Sequence, residues 1–253
     1  MPSYEFVQLD VFTRTPLAGD PLAIFRDARG LGDAQMQALA REMNLSETTF
    51  ILPRESHVEE EEGKRVRIFM VEEELPFAGH PTLGTALYLR TTAVPRADEI
   101  VLDLNVGKIR VQFSADSKNR SDRVTGDVFS EMRQRDPEFG PTFSRNDIAG
   151  VLRNGAKQIA SEWPSEVVST GLPFAVVRIR DTEALANLNP DLVRMNALLD
   201  GTGAKFLLLH FSGARRVARG ARSNVFLWRR RSGHRIGCRL CRELDGASWP
   251  GKI

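Results

Sequence analysis

Apolar and polar residues alternate at the start of the chain, in the segment Tyr4-Glu-Phe-Val-Gln-Leu-Asp-Val-Phe12. Alternation with a period of two predicts a strand with one buried face. Residues 33–43 place their apolar side chains at helical spacing instead, and Asp33 is a good N-cap, so a helix is predicted there. Further short β-rich segments occur at residues 22–25, 48–52 and 66–71.

A proline-bounded loop, Pro76-Phe-Ala-Gly-His-Pro81, precedes the next predicted helix, at residues 82–90, in which we expect Leu83 and Leu87 to face inward. Proline suits the first turn of a helix because the N–H that it lacks has no helical partner there. The charged residues 59–64 predict a solvated hairpin loop. Beyond the helix, the pattern predicts strands at residues 100–104, 108–113, 124–129, 166–170, 174–179 and 205–211, and helices at residues 147–153, 182–188 and 190–199.

The order of these elements predicts an α+β fold in two lobes. Residues 1–113 form the first lobe and residues 124–211 the second, and the polar residues 114–123 link them. The two lobes share an order of elements but no exact repeat of residues. Residues 212–253 form a third region, an atypical arginine-rich tail.

The composition is that of an ordinary globular protein. Of the 253 residues, 42% are apolar and 27% are charged, which excludes wholesale disorder, collagen-like repeats and a coiled coil. No apolar run approaches the ~20 residues that a membrane-spanning helix needs. The first residues lack the basic and apolar regions of a signal peptide, so we expect a cytoplasmic protein with no membrane partner.

The tail differs from the rest of the chain in charge. The chain has 35 Lys+Arg and 33 Asp+Glu, of which residues 215–253 contain 11 and 2. The other residues therefore contain 24 Lys+Arg and 31 Asp+Glu. Both cysteines of the chain, Cys238 and Cys241, also lie in this segment. An account of function therefore has to explain the tail separately.

Glu47 is the first candidate for chemistry, within Met43-Asn-Leu-Ser-Glu-Thr-Thr-Phe50. It lies between the end of a predicted helix and an apolar β-rich run, where a carboxylate is partly desolvated. Desolvation raises the pKa of a carboxyl group, and a group that takes and returns a proton near neutral pH needs such a pKa. From the chemistry of the residue alone, the favoured interpretation is a solvent-facing glutamate that starts a strand.

The second candidate is Phe77-Ala-Gly-His-Pro-Thr-Leu-Gly-Thr85. Gly79 lets a ligand approach the backbone, and the helix that begins near Pro81 offers free N–H groups and the positive end of its dipole to a carboxylate. His80 could donate a hydrogen bond or shuttle a proton. The alternative is a turn in which the histidine only caps the helix.

These two motifs resemble the PhzF-like family of phenazine-biosynthesis-type isomerases. The resemblance covers residues 1 to 211, and the order and spacing of the matching segments also fit. The matching segments are Asp10-Val-Phe12, Gly19-Asp-Pro21, Met43-Asn-Leu-Ser-Glu-Thr-Thr-Phe50, Glu74-Leu-Pro-Phe-Ala-Gly-His-Pro-Thr-Leu-Gly-Thr-Ala86 and Ser169-Thr-Gly-Leu-Pro173.

The resemblance implies the diaminopimelate epimerase-like fold. In that fold, two pseudo-symmetric lobes each wrap a curved, mostly antiparallel sheet around a central helix, and the active site lies in the cleft between them. It also implies an isomerase that uses no cofactor or metal, acts on a small carboxylic acid and forms a homodimer. The family's best-known member moves a proton within trans-2,3-dihydro-3-hydroxyanthranilate.

The same resemblance assigns roles to individual residues. The family's catalytic glutamate falls on Glu47, and its substrate-holding histidine falls on His80, beside Gly79. Gly171 falls in the loop of the second lobe that lines the cleft. Asp20 departs from the family, which usually has asparagine there, and puts an extra charge near the cleft.

A second family motif, Asp-Pro-Ala-Thr-Gly-Ser-Ala, is missing from the chain. We hypothesise that the tail is this motif in a shifted reading frame. Suppose that the codon for Arg231 ends in GA and that residues 232–238 are encoded by TCC GGC CAC CGG ATC GGC TGC. Reading the same bases in a frame shifted by one base then gives GAT CCG GCC ACC GGA TCG GCT. These codons encode Asp-Pro-Ala-Thr-Gly-Ser-Ala, and the frame would change between residues 212 and 222. The second lobe would then be incomplete.

Two other interpretations of the tail are weaker. Arginines interleaved with Phe226 and Trp228 are typical of a nucleic-acid-binding arm, but no reader motif accompanies them. His234, Cys238 and Cys241 have a crude metal-ligand spacing without an evident fourth ligand. We therefore expect neither nucleic acid nor metal as a partner.

Two hypotheses of function follow from the sequence. In the first, the chain is a PhzF-like isomerase in which Glu47 moves a proton on a small carboxylic acid, with turnover impaired by the missing motif. In the second, it is a decayed paralogue that binds such an acid without chemistry.

Overall fold

A computed structural model of the chain describes residues 3–13, 15, 17–95, 97–115, 128–153, 155–181, 184, 188–211, 223–228 and 240–242. The chain divides into two compact units, with the boundary between Gln134 and Arg135. Each unit contains one mixed sheet with helices packed on it. The described helices are all too short or too polar to cross a lipid bilayer.

The first unit has a sheet with the order β1-β2-β3-β4-β6-β7-β8, and β5 pairs with β4 beside this path. Its pairs are antiparallel except β2 with β3 and β4 with β6, which are parallel. The strands are β1 (Phe6–Val11), β2 (Asp20–Phe25), β3 (Glu47–Leu52), β4 (Lys64–Phe69), β5 (Glu74–Leu75), β6 (Glu99–Leu104), β7 (Gly107–Ala115) and β8 (Val128–Met132), and the helices are α1 (Asp33–Met43), α2 (Ser56–Glu62) and α3 (Gly79–Thr92).

Helix α3 is enclosed by this sheet. It contacts β1, β2, β3, β6 and β8, which include both ends of the strand order. A flat sheet with about 4.8 Å between strands would hold β1 and β8 about 29 Å apart, far more than the ~10 Å width of a helix. The sheet therefore curls around α3.

Half of the 14 residues of α3 are buried, and most of these are small, which suits a helix that a sheet encloses: Pro81, Thr82, Gly84, Thr85 and Ala86. The two leucines predicted to face inward, Leu83 and Leu87, are only half-buried. Gly84 lies so close to β1 and β2 that an added Cβ would be 2.7 Å from Leu22 and 2.8 Å from Val11. Glycine at this position is therefore required for close packing of the helix on the sheet.

Alternate residues of β2 and β3 face opposite sides of the sheet, as strand geometry dictates. Leu22 faces α3, whereas Phe25 and Phe50 stack on each other with ring centroids 4.8 Å apart and pack with Met36 of α1. Helix α1 ends at Met43, and its C-cap residue, Asn44, adopts a left-handed conformation with φ 50°. This cap turns the chain so that β3 starts three residues later, at Glu47.

Residues 59–64, predicted as a solvated loop, lie mostly in α2. The prediction was wrong because it treated the acidic run as a solvated turn, whereas the helix is held locally. The Glu59 carboxylate accepts the backbone N–H of Arg54 and forms an ion pair with Lys64. The helix ends at Gly63, whose φ of 87° favours glycine and where an added Cβ would overlap the Val101 carbonyl oxygen at 2.6 Å.

The second unit has a sheet with the order β14-β13-β12-β11-β10-β9, in which only β11 and β12 run parallel. Helices α4 and α5 pack on it through a core that includes Ile148, Leu152 and Met195. Its strands are β9 (Glu138–Phe143), β10 (Ser165–Ser169), β11 (Pro173–Arg178), β12 (Phe206–Phe211), β13 (Ser223–Trp228) and β14 (Leu240–Arg242), and its helices are α4 (Arg145–Leu152) and α5 (Leu192–Leu199).

The unit boundary differs from the predicted linker. Strand β8, predicted to open the second lobe, pairs antiparallel with β7, so that Met132 lies opposite Val111 in the first sheet. The predicted linker at residues 114–123 and the predicted helix at residues 182–188 fall largely outside the described residues. Within the tail, only the backbone of β13 and β14 is described, so the interpretations that rest on His234, Cys238 and Cys241 lie outside the described side chains.

Arg67 of β4 organises a charged cluster on the first sheet. It donates two hydrogen bonds to Glu74 of β5, at 2.7 and 2.6 Å, and another to Asp33 of α1 at 2.6 Å. Burial alone would raise the pKa of the Glu74 carboxyl, but hydrogen bonds from Arg67 and Asn105 outweigh it and hold the pKa below its ordinary value. The cluster fixes β5, from which the chain continues to α3.

Replacing Gly84 with alanine tests the close packing of α3. We expect Gly84→Ala to lower the free energy of unfolding by about 1–3 kcal/mol, because the new methyl group overlaps Leu22 and Val11. The matched control is Gly150→Ala in α4, where the methyl group meets only the flexible end of Arg194 at 3.4 Å. The control should be neutral or stabilising by about 0.5–1 kcal/mol. Urea unfolding measures both, and equal effects would contradict the packing argument.

Replacing Glu74 with glutamine tests the charged cluster. Because the folded state lowers the pKa of Glu74, its ionised form stabilises the fold above the unfolded pKa, about 4.3, and that contribution is lost as the pH falls through the folded value. Glu74→Gln should therefore cost on the order of 1–3 kcal/mol at pH 7 and clearly less at pH 3. Urea unfolding at both pH values is the measurement. An equal cost at the two pH values would exclude the ionic contribution.

Candidate active site

Three titratable side chains meet at one end of α3. Asp20 starts β2, Glu47 starts β3 and His80 lies in the first turn of α3. Strands β2 and β3 are parallel, with Leu22 opposite Glu47, so both strands begin at the same edge of the sheet. The curled sheet brings this edge against the N-terminus of the helix.

The imidazole of His80 faces both carboxylates. Its Nδ1 atom is 3.2 Å from Oε2 of Glu47 and 3.7 Å from Oδ2 of Asp20. The exposed fractions of the side chains are 9% for His80, 13% for Glu47 and 26% for Asp20. Glu47 therefore does not extend into open solvent, and it shares one site with the histidine.

A buried pair of threonines joins β3 to α3 next to this site. The hydroxyl oxygens of Thr49 and Thr85 are 3.0 Å apart, and Thr49 also donates to the backbone carbonyl of Ala23 in β2 at 3.5 Å. Thr49 lies two residues beyond Glu47 on the same face of β3, and Thr85 lies five residues beyond His80. The pair thus sets the distance between the elements that carry Glu47 and His80.

Sequence reasoning missed this pair. The signal that could have found it is a polar residue at position i+2 from the glutamate, matched by a small polar residue inside an otherwise apolar helix. Threonine hydroxyls in a buried contact of this kind must hydrogen-bond, because an unsatisfied buried donor is costly.

Gly79 is the first residue of α3, after the N-cap residue Ala78. An added Cβ at Gly79 would meet, among described atoms, only Cε of Met132, at an ordinary contact distance of 3.5 Å. Packing of the described residues therefore leaves room for a side chain here. The N–H groups of the first turn and the positive end of the helix dipole are suited to an anion at this point.

Gly171 belongs to the second unit, in the turn between β10 and β11. Its φ of 133° favours glycine, and its N–H donates to the hydroxyl of Ser169 at 3.2 Å. The three converging side chains all belong to the first unit, so the participation of Gly171 in the same site stays a prediction. Among the side chains that the structure describes, no group of three or more suits a metal ion.

A buried carboxylate beside an imidazole is an arrangement that transfers protons. The carboxylate can accept a proton from a bound molecule, and the imidazole can donate a hydrogen bond that orients the carboxylate. Backbone N–H groups at the start of a helix supply donors for negative charge that develops on the molecule. The arrangement can thus perform acid–base chemistry on an anionic compound.

Comparison with curated proteins places the chain among named isomerases. Over 201 aligned residues, it is 44% identical to an uncharacterized isomerase of Mesorhizobium japonicum. This alignment covers 76% of the chain and 61% of the relative. Over 189 aligned residues, it is 35% identical to the trans-2,3-dihydro-3-hydroxyanthranilate isomerase of Pseudomonas aeruginosa. This alignment covers 74% of the chain and 62% of the relative. The aligned part of the chain thus spans about three fifths of the length of these two relatives.

Comparison with solved structures confirms the predicted α+β, epimerase-like fold. A predicted epimerase of Pseudomonas aeruginosa matches with a TM-score of 0.67 and 35% identity, over 82% of this chain and 70% of that chain. A PhzF-family protein of Bacillus anthracis matches with a TM-score of 0.72 and 22% identity, over 90% of this chain and 73% of that chain. A hydroxyproline epimerase of Agrobacterium vitis shares only the fold, with a TM-score of 0.53 and 10% identity over 89% of this chain and 70% of that chain.

The sequence model of one family matches most of the chain, over residues 9–217. The matched segment contains Asp20, Glu47, His80 and Gly171 and ends before most of the arginine-rich tail. The family is described as phenazine biosynthesis-like protein (PhzC-PhzF). The resemblance expected from the Glu47 and His80 motifs is therefore confirmed, and the chain belongs to the phenazine biosynthesis-like (PhzC-PhzF) family.

Proposed function

We propose that the chain is an isomerase that moves a proton within a small carboxylic acid, with Glu47 as both base and acid and with no cofactor. The observation that carries this proposal is the 3.2 Å approach of the Glu47 carboxylate to Nδ1 of His80 in a site that is mostly shielded from solvent. The names of relatives in Pseudomonas support a dihydro-hydroxyanthranilate-like substrate.

The reaction needs one group that changes roles. The Glu47 carboxylate takes a proton from a carbon of the substrate, and the electron pair left behind delocalises into the adjoining unsaturated system. Glu47, now a neutral carboxylic acid, returns the proton to a different carbon. Nothing is oxidised or reduced, the enzyme is regenerated, and general acid–base catalysis of this kind supplies roughly 10²–10⁴-fold.

The substrate carboxylate is bound, in this proposal, by the start of α3. The backbone N–H groups of Gly79 and His80 and the helix dipole favour an anion there. We further propose that Gly171 of the second unit is a substrate-binding residue and that the protein is a homodimer, as the family resemblance implies. Room at Gly79 for a Cβ supports the helix start as the place where the substrate approaches the backbone.

A second candidate function is a binding module that retains the site but lacks turnover. What favours it is the tail: the family match ends at residue 217, and the sequence beyond it lacks the Asp-Pro-Ala-Thr-Gly-Ser-Ala motif. The frame hypothesis places its change within residues 212–222. The nucleotide sequence of the gene across residues 205–240 tests that hypothesis, since codons incompatible with the shifted motif would dispose of it.

Replacing Glu47 with glutamine tests the proposed mechanism. Glutamine keeps the shape of the side chain and removes its basicity, so the rate at which a 2,3-dihydro-3-hydroxyanthranilate-type acid is converted to its proton-shifted isomer should fall at least about 10²-fold. NMR of the acid follows the conversion. The control is Glu42→Gln, at an exposed position of α1, which should convert the acid at the parent rate.

The outcomes separate the two candidate functions. Conversion that survives Glu47→Gln removes Glu47 from the mechanism. Parent protein that binds the acid but does not convert it supports the binding module instead. Conversion that is present in the parent protein and lost in Glu47→Gln supports the isomerase.

Replacing Gly79 with alanine tests the proposed binding of the carboxylate. The methyl group fits against Met132, so the melting temperature should not change, but it occupies the space in which the substrate approaches the backbone. We expect KM to rise roughly tenfold, which corresponds to about 1.4 kcal/mol of binding free energy. Gly155→Ala, where an added Cβ has no neighbour within 4 Å, is the control. An unchanged KM would place the carboxylate elsewhere.

A further inference from the structure

Met132 is a half-buried side chain beside the site to which the proposed reaction gives no task. It is the last residue of β8 and belongs to the first unit, which also contains Glu47 and His80. Its methyl carbon, Cε, lies 3.5 Å from the point that a Cβ at Gly79 would occupy. That distance is an ordinary contact between carbon atoms, so a ligand atom at this point touches the methionine.

The sheet directs Met132 towards α3. Strand β8 contacts α3, and Met132 is paired with Val111 of β7. Residues directly opposite each other on neighbouring strands share a face of the sheet, and the exposed fraction of Val111 is 0%. Phe129, three residues earlier in β8, lies on the other face by strand alternation and is 37% exposed. The Met132 side chain therefore projects from the buried face of a paired strand to the start of the helix.

The proposed binding of the substrate brings its carbon skeleton to this contact. A carboxylate held by the backbone N–H groups of Gly79 and His80 places the carbon atoms attached to it beside Gly79, next to Met132. Glu47 has to reach a carbon of the same molecule, and its carboxylate is 3.2 Å from the imidazole of His80. The bound acid therefore meets polar groups at Glu47 and His80 and an apolar group at Met132.

Methionine suits contact with a flat, unsaturated ring. Its thioether is polarizable and makes favourable contacts with aromatic rings, and its unbranched chain adapts to a neighbour through three rotatable bonds. It has no charge and no N–H or O–H donor, so it does not compete with the donors that hold the carboxylate. A short acid such as acetate has no ring that reaches it. Contact with Met132 therefore distinguishes acids by their carbon skeletons.

We propose that Met132 is a specificity-determining residue, whose methyl group packs against the ring of a bound carboxylic acid and favours ring-bearing acids over short aliphatic ones. The inference rests on the proposed function, because it takes from it the position of the carboxylate at the start of α3. It adds the part of the site that recognises the carbon skeleton. No bond to Met132 forms or breaks.

Binding of two simple acids to the full chain tests the proposal without turnover. Benzoate carries a flat ring, whereas acetate carries only a methyl group, and we expect the parent protein to bind benzoate more tightly. Met132→Ala should weaken benzoate binding roughly tenfold, because the contact with the ring is lost, and should change acetate binding less than about twofold. NMR titration of the protein measures both dissociation constants.

Two further variants separate contact with the ring from an effect on folding. Met132→Gln keeps a side chain of similar length but ends in a polar amide, so it should also weaken benzoate binding, even if Met132→Ala does not fold. Phe129→Ala is the matched control, because it removes an apolar side chain from the other face of the same strand. It should leave both dissociation constants unchanged.

Three results would overturn the proposal. They are a parent protein that does not prefer benzoate, benzoate binding that survives both Met132 variants, and equal weakening of benzoate and acetate by those variants.

The proposed function fails in a different way. Gly79→Ala acts at the carboxylate and should weaken the binding of both acids, so unchanged binding of both would remove the carboxylate from the start of α3. If conversion of the dihydroaromatic acid survives Glu47→Gln, the proposed mechanism fails. The ratio of the benzoate and acetate dissociation constants still decides in that case whether Met132 recognises the ring.

Discussion

The curling of one sheet around helix α3 is the constraint on which the rest of the structure depends. Two close contacts hold the helix in place: the missing side chain of Gly84 against Val11 and Leu22, and the buried hydroxyl pair of Thr49 and Thr85. Both lie within about one and a half turns of His80. Any shift of α3 would therefore move the imidazole relative to Glu47, and with it the chemistry of the site.

The electrostatics of the site follow from this geometry. Two carboxylates, of Asp20 and Glu47, lie 3.7 and 3.2 Å from Nδ1 of one imidazole at the positive end of a helix. The side chains of Glu47 and His80 are mostly shielded from solvent. In this account the strands supply the carboxylates, and the helix supplies the imidazole and the backbone donors.

Much of the fold and part of the site could be predicted from the sequence. Local patterns were enough for most strands of the first sheet, and the Glu47 and His80 motifs were enough for the family. The contacts that depend on the curl could not be predicted, because periodicity does not reveal which face of a helix a curled sheet encloses. Leu83 and Leu87 were expected inside for that reason, and the pairing of Thr49 with Thr85 was missed. The acidic run in α2 misled because its charge alone was taken to indicate a solvated turn, whereas Glu59 contacts Arg54 before the helix and Lys64 after it.

The central claim is that one carboxylate removes a hydrogen from one carbon and returns it to another. The most direct measurement uses a dihydroaromatic acid that carries deuterium at the donating carbon, followed by NMR during a single turnover. The account predicts a primary isotope effect on the reaction and deuterium at the receiving carbon above the level that solvent supplies. Product that forms with no isotope effect, and with its deuterium still on the original carbon, would contradict it.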